Sequence, residues 1–154
     1  MAFIQIAMVQ LLTLQPRVGR GIPGKGRKVT FDEFADIVDE EMNLLPDYCY
    51  DELNGGVVVD EAAYLHPARR ADDLYILGTY SSDRIMGKQI RLYYGSFRAC
   101  ISDNPEAMRQ QIRTTLRHEF LHHLETRAGI MGKDSLAEED RKDMIKYFER
   151  HKKP

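Results

Sequence analysis

Cysteine is scarce: the 154 residues hold only Cys49 and Cys100. The two lie far apart and outside any C-x-x-C spacing, which excludes a disulfide framework or a thiolate metal site. Both read as small buried hydrophobes, and their scarcity fits a reducing, cytoplasmic location. Long hydrophobic runs are also missing. The most apolar stretch, Phe3 to Leu14, is broken by Gln5 and Gln10, with no basic residue before it and no small-x-small site after it. It is too short to cross a bilayer and unlike a secretory signal, so no membrane partner is expected. Internal repeats are absent. So is a large net charge, and the formal value of −2 argues against general nucleic-acid binding.

The near-neutral total hides an asymmetry. Residues 1–28 hold five of the 22 basic residues (Arg17, Arg20, Lys25, Arg27, Lys28) and none of the 24 acidic ones, leaving the remainder with a net −7. Residues 15–29 are also rich in Gly and Pro, a composition that buries little. Residues 1–29 are therefore expected to form a flexible basic tail, with one domain over 30–154. Gly19 to Lys25 has the G-x-x-x-x-G-K outline of a phosphate-binding loop. Gly26, however, stands where a hydroxyl should hold magnesium, Pro23 removes a cradling N–H, and no helix begins at Lys25. A basic linker is the better reading.

From Thr30 onward the pattern is that of an α+β domain. Thr30 and Glu33 form a capping box, followed by Phe31, Phe34, Val38, Met42 and Leu45 at helical spacing, and Pro46 ends the run. Asn54-Gly55-Gly56 signals a turn before a short buried strand, Val57 to Val59. Leu74 to Ser82 reads as a second strand, with Gly78 allowing another backbone to come close. Gln89 to Phe97 reads as a third, alternating Ile90, Leu92 and Tyr94 against Arg91 and Tyr93. Short connections suggest a small, mostly antiparallel sheet. Asn104-Pro105-Glu106 opens a long helix that Gly129 should stop near Arg127, and Ser135 with Glu138 opens a last helix ending near His151.

The chemistry lies on the long helix, in Arg117-His118-Glu119-Phe120-Leu121-His122-His123-Leu124-Glu125. At about 100° per residue, Met108, Ile112, Leu116, Phe120 and Leu124 form one apolar band. His118 and His122 lie together to one side, one turn apart, so both rings can reach one metal ion. Glu119 falls between the two sets, where it can hold and deprotonate an activated water. This is the H-E-x-x-H pattern of zinc hydrolases, with zinc as the expected cofactor. His123 points toward the apolar band and reads as a core or supporting histidine. His66, in a loop, reads as solvent-facing.

Two histidines need a third ligand. Asp140 falls inside the inward stripe of the last helix, among Leu136, Met144, Tyr147 and Phe148, and a carboxylate there needs a partner. A buried ion pair or a bond to His123 would also supply one. Asp134, just before that helix, is the alternative ligand. Glu125 shares the histidine face but lies far along it, and reads better as support for His122. Glu139 and Asp143 flank the stripe and read as solvated.

In the ordered set Phe31-x-x-Phe34, Leu45-Pro46, Val57 to Glu61, Leu77-Gly78-Thr79-Tyr80, Ile90 to Tyr93 and His118-Glu119-x-x-His122-His123, the chain resembles the small bacterial zincin-like metallopeptidases of minimal gluzincin type. The resemblance spans roughly residues 30–145. It implies a zincin-like fold, with the active-site helix under a small sheet whose edge strand receives an extended peptide, and helices before and after. It further implies His118 and His122 as ligands, Glu119 as general base and a peptide or protein as substrate. Many members carry Gly three residues after the second histidine and an acidic ligand soon after; here Glu125 holds that position and the acids come later. The expected function is zinc-dependent peptide-bond hydrolysis. A metal-stabilised binding or structural module without peptidase activity is the alternative, since no large second lobe is evident to close a cleft.

Overall fold

A computed structural model describes residues 27–130 and 135–152. Most of the basic tail, with its phosphate-loop outline, and Asp134 lie outside the described residues. The first helix, α1 (Phe31–Met42), starts as its sequence dictates. The Thr30 hydroxyl accepts from the Glu33 amide at 3.2 Å and the Glu33 carboxylate accepts from the Thr30 amide at 3.3 Å. Val29, just before it, is already buried and gives its carbonyl to the Tyr94 hydroxyl. After a 3₁₀ turn (Asp47–Tyr50) come β1 (Gly56–Asp60), β2 (Gly78–Asp83), β3 (Gly87–Tyr93), α2 (Tyr94–Cys100), α3 (Pro105–Ala128) and α4 (Leu136–Arg150).

The strands form one mixed sheet in the order β1-β3-β2, which corrects the expectation of a mostly antiparallel one. β2 and β3 are a hairpin, antiparallel from Gly78↔Leu92 to Asp83↔Gly87. β1 pairs with β3 in parallel, from Gly56↔Gln89 to Asp60↔Tyr93. Residues 61–77 carry the chain from one edge to the other before β2 begins, so β1 and β3 run the same way. Loop length signals antiparallel pairing only when consecutive strands are neighbours. As an edge strand, β1 is half-buried along its length rather than buried.

The first helix ends at Met42, capped by Asn43, short of the expected stop at Pro46, and two strand boundaries also differ from expectation. The second strand starts at Gly78; Leu74 to Leu77 run before it, with a single bridge between Leu65 and Tyr75. The third ends at Tyr93, and the chain turns at once into α2. There Ser96 Oγ accepts from the Tyr64 amide at 2.8 Å and Phe97 is fully buried. Tyr94 and Phe97 are three apart, a helical spacing that the preceding alternation masks.

The core lies between the sheet and α1, α2 and α3. Phe34 and Val38, Tyr80, Ile90 and Leu92, Phe97, and the α3 band Met108, Ile112, Leu116 and Phe120 all meet there. Burying each large apolar side chain contributes about 1.5–3 kcal/mol. Polar ties hold α1 to α3. Glu41, itself buried, accepts from Arg113 at 2.8 and 3.0 Å and from Arg109 at 3.3 Å. The Arg113 hydrogen bond outweighs the upward push of burial and, with Arg109, keeps the Glu41 carboxyl below the ordinary range. Cys49 is buried and Cys100 half-buried, both are free, and burial raises the Cys100 thiol to about 11.

α4 stands apart from this core. Its Tyr147 joins Leu74 and Ile76 in a second, smaller cluster, with Tyr64, Tyr93, Met144 and Phe148 around it. Among the described residues no helix is long and apolar enough to cross a membrane.

Candidate metal centre

α3 holds the site because it is long, well capped and two-faced. Asn104 Oδ1 accepts from the Glu106 and Ala107 amides at 2.9 and 3.4 Å, Pro105 sits in the first turn, and Gly129 closes the helix with a left-handed φ of 68°. Its apolar band is fixed against the sheet, so the residues beside the band are fixed too. His118 and His122 project together, ring centroids 4.9 Å apart.

Asp140, from α4, meets both. Its Oδ2 lies 2.7 Å from His122 Nε2 and 3.2 Å from His118 Nε2. One ligand-type atom from each of the three residues falls within 4.8 Å of the others, the arrangement that can hold a metal ion. His122 is 4% exposed, against 19% for the His118 side chain and 16% for Asp140, so the cluster opens to solvent on the His118–Asp140 side. Burial pushes the Asp140 carboxyl up, but the two imidazoles outweigh it and leave the group below its ordinary value.

Glu119 is completely buried, and among the described residues neither carboxylate oxygen has a hydrogen-bond partner. Burial first, and then the charge of Asp140, raise its carboxyl well above the ordinary range. An orphaned buried carboxylate beside a His–His–Asp cluster fits a bound cation with a water on it: the water supplies the donor that Glu119 lacks. The donor set, two imidazoles and one carboxylate, is one that zinc accepts. Gly78 on β2 makes room for this side chain. A Cβ there would lie 3.1 Å from Thr115 Cγ2 and 3.3 Å from Glu119 Cγ. The atoms nearest to such a Cβ belong to side chains of α3 and of Leu92, the residue paired with Gly78 on β3.

No family model matches the chain, and no curated protein does. A solved structure similar to it is that of a conserved hypothetical protein from Thermo thermophilus, with a TM-score of 0.57 and 28% identity. The match covers 65% of this chain and 98% of that one. It supports the α+β arrangement and carries no activity in its name.

The remaining histidines are accounted for by other bonds. His123 is fully buried, with Nε2 2.7 Å from the Asp51 carbonyl and Nδ1 2.9 Å from the Tyr80 hydroxyl. A carbonyl only accepts, so Nε2 carries the proton and the tyrosine donates to Nδ1. Burial lowers the His123 pKa and raises that of Tyr80 to about 12, in keeping with a neutral pair. His66 is half-buried, and its Nδ1 accepts from the Ala68 amide at 2.9 Å. Glu139 and Asp143 are exposed.

Glu125 is not a member of the His118–His122–Asp140 cluster. Its carboxylate accepts from the Leu136 amide at 3.0 and 3.3 Å, at the start of α4. Sequence reasoning missed this role, and also the contact of Tyr147 and His151 with Asp73. Both are pairings between distant segments. The only local signal was an acid in the last turns of α3, where the helix dipole disfavours it.

Proposed function

We propose that the protein is a zinc-dependent metallopeptidase of the zincin type, with His118, His122 and Asp140 as ligands and Glu119 as general base. The observation that carries this reading is the orphaned Glu119 carboxylate beside the His–His–Asp cluster. Zinc held there supplies a Lewis acid that polarises a carbonyl and brings the pKa of a water toward neutrality. Glu119, poised by burial to take and release a proton, accepts one from the attacking water and delivers it to the leaving amine. His118 and His122, one turn apart on α3, would hold the ion together with Asp140. The more open side at His118 and Asp140 is where a peptide or protein substrate enters.

Metal analysis of the purified protein tests the centre: one zinc per chain is expected, and none after His118→Ala. Turnover of a broad peptide panel tests the chemistry. Glu119→Gln should keep the metal and lose roughly 10²–10⁴-fold in rate. Hydrolysis that survives this substitution would reject the mechanism.

A second reading has an observation of its own. Glu119 and His122 are closed off from solvent, as suits a metal that holds α3 to α4 in a binding or structural module. Zinc binding with no turnover on any peptide, together with a large zinc-dependent rise in stability, selects this reading over the first.

A further inference from the structure

Asp140 is delivered by a helix that shares little core with the rest of the molecule, so something else must place it. We infer that Glu125 is a positioning residue. By capping α4 from the end of α3, it sets the helix that presents Asp140 to the two histidines. This rests on the metal-centre reading above and adds to it the residue that assembles the third ligand.

The geometry closes a small ring. Along α3, Glu125 follows His122 by less than one turn. Across space, its carboxylate holds the Leu136 amide, eleven residues on in the chain. Along α4, Asp140 follows Leu136 by one turn, about 6 Å. Across space again, Asp140 returns to His122 at 2.7 Å. Any shift of the start of α4 therefore passes directly to the ligand. The electrostatics favour the bond from both sides. An acid is disfavoured at the C-terminal end of α3 and favoured at the N-terminus of α4, whose first amides have no partner within the helix.

The far end of α4 is held separately. Tyr147, two turns past Asp140, donates to Asp73 Oδ1 at 2.8 Å and accepts from the Arg70 amide at 2.9 Å. His151 Nε2 lies 2.7 Å from Asp73 Oδ2. This anchor holds the C-terminal half of the helix. Glu125 ties the N-terminal turn, one turn before Asp140, to the end of α3, while Ser135 caps that turn locally.

Zinc affinity, measured on the full chain by competition with a chromogenic chelator, tests the assignment. Glu125→Ala should weaken zinc binding roughly 10–100-fold, as loss of an outer support does at metal sites. Glu125→Gln, which keeps an accepting oxygen, should recover part of that loss. In an Asp140→Ala background Glu125→Ala should cost nothing further, because the residue acts only through Asp140. A purely structural role would instead add the same loss in both backgrounds. Additive losses, or wild-type affinity in both Glu125 variants, overturn the inference while leaving the metal centre intact. Absence of zinc from the wild type overturns the metal centre and this inference with it. If Glu125→Ala does not fold, the Glu125→Gln comparison in the two backgrounds decides between the same two outcomes.

Discussion

The Oδ2 of Asp140 stands 2.7 Å from His122 Nε2, across 18 residues of chain. The same oxygen also meets His118, so one carboxylate faces two imidazoles whose Nε2 atoms converge on it. Neutral imidazoles must both turn N–H groups toward Asp140 to bond it, whereas a cation between the three uses their lone pairs directly. Asp140→Asn keeps the shape but removes the charge. It should weaken zinc binding by more than the roughly 10–100-fold typical of an outer support. Equilibrium dialysis against a zinc buffer measures it, and unchanged affinity would remove Asp140 from the ligand set.

Glu119 should be costly to the fold in the absence of metal. Among the described residues its buried oxygens have no partner, and such a group is destabilising by about 1–3 kcal/mol. Glu119→Met, similar in length and apolar, should raise the stability of chelator-treated protein by about that amount in urea denaturation. Glu119→Ala should gain less, because it leaves a cavity. Under the proposed mechanism the gain belongs with loss of hydrolysis, the usual exchange between stability and a working site. No gain from Glu119→Met would mean that the carboxylate is satisfied in solution.

What can be read from the sequence, and what cannot, divides along a physical line. The helices are legible because caps are local: Thr30 with Glu33, Asn104 with Pro105, Ser135 and Gly129 all sit at the ends found. The side-by-side placement of His118 and His122, and the turning of His123 inward, follow from helical periodicity alone. Asp140 is legible as an acid inside an apolar stripe, and it meets the histidines. Pairing between distant segments is not legible. The parallel β1–β3 pair depends on where residues 61–77 travel, and the bond from Glu125 to Leu136 depends on where α4 docks. Neither leaves a mark in local composition. The end of β3 is obscured because the alternation of Ile90 and Leu92 runs on through Tyr94, already in α2, and only Phe97 departs from it.

Gly78 ties the sheet to Glu119, the proposed base. A methyl group there would come within 2.9 Å of Leu92 Cδ2 as well as against Thr115 and Glu119. Gly78→Ala should therefore destabilise the protein by about 1–3 kcal/mol, the range for overpacking a filled core. Because the contact is with Glu119 and not with a proposed ligand, the proposed hydrolysis should fall while zinc binding stays the same. Thermal unfolding and metal analysis on one preparation separate the two effects. A variant with normal stability would show that the strand can move away from α3.

The Asp73–His151 anchor should make stability depend on pH in a defined direction. The Tyr147 carbonyl first, and then Asp73, raise the His151 pKa above its ordinary 6.5. A raised histidine contributes fully below its unfolded-state value and loses that contribution as pH climbs through the folded-state value. For Asp73 burial pushes upward, but Tyr147 and His151 prevail and leave it below 3.8, so its contribution is present above that value and lost as pH falls through the depressed one. Between these limits both groups are charged and the anchor is at full strength. The stability difference between wild type and His151→Gln should be larger at about pH 5.5 than at about pH 8.5. Urea midpoints at the two pH values measure it. An equal difference at both would show that His151 holds Asp73 as a neutral hydrogen-bond donor, and that its charge adds nothing to the anchoring of α4.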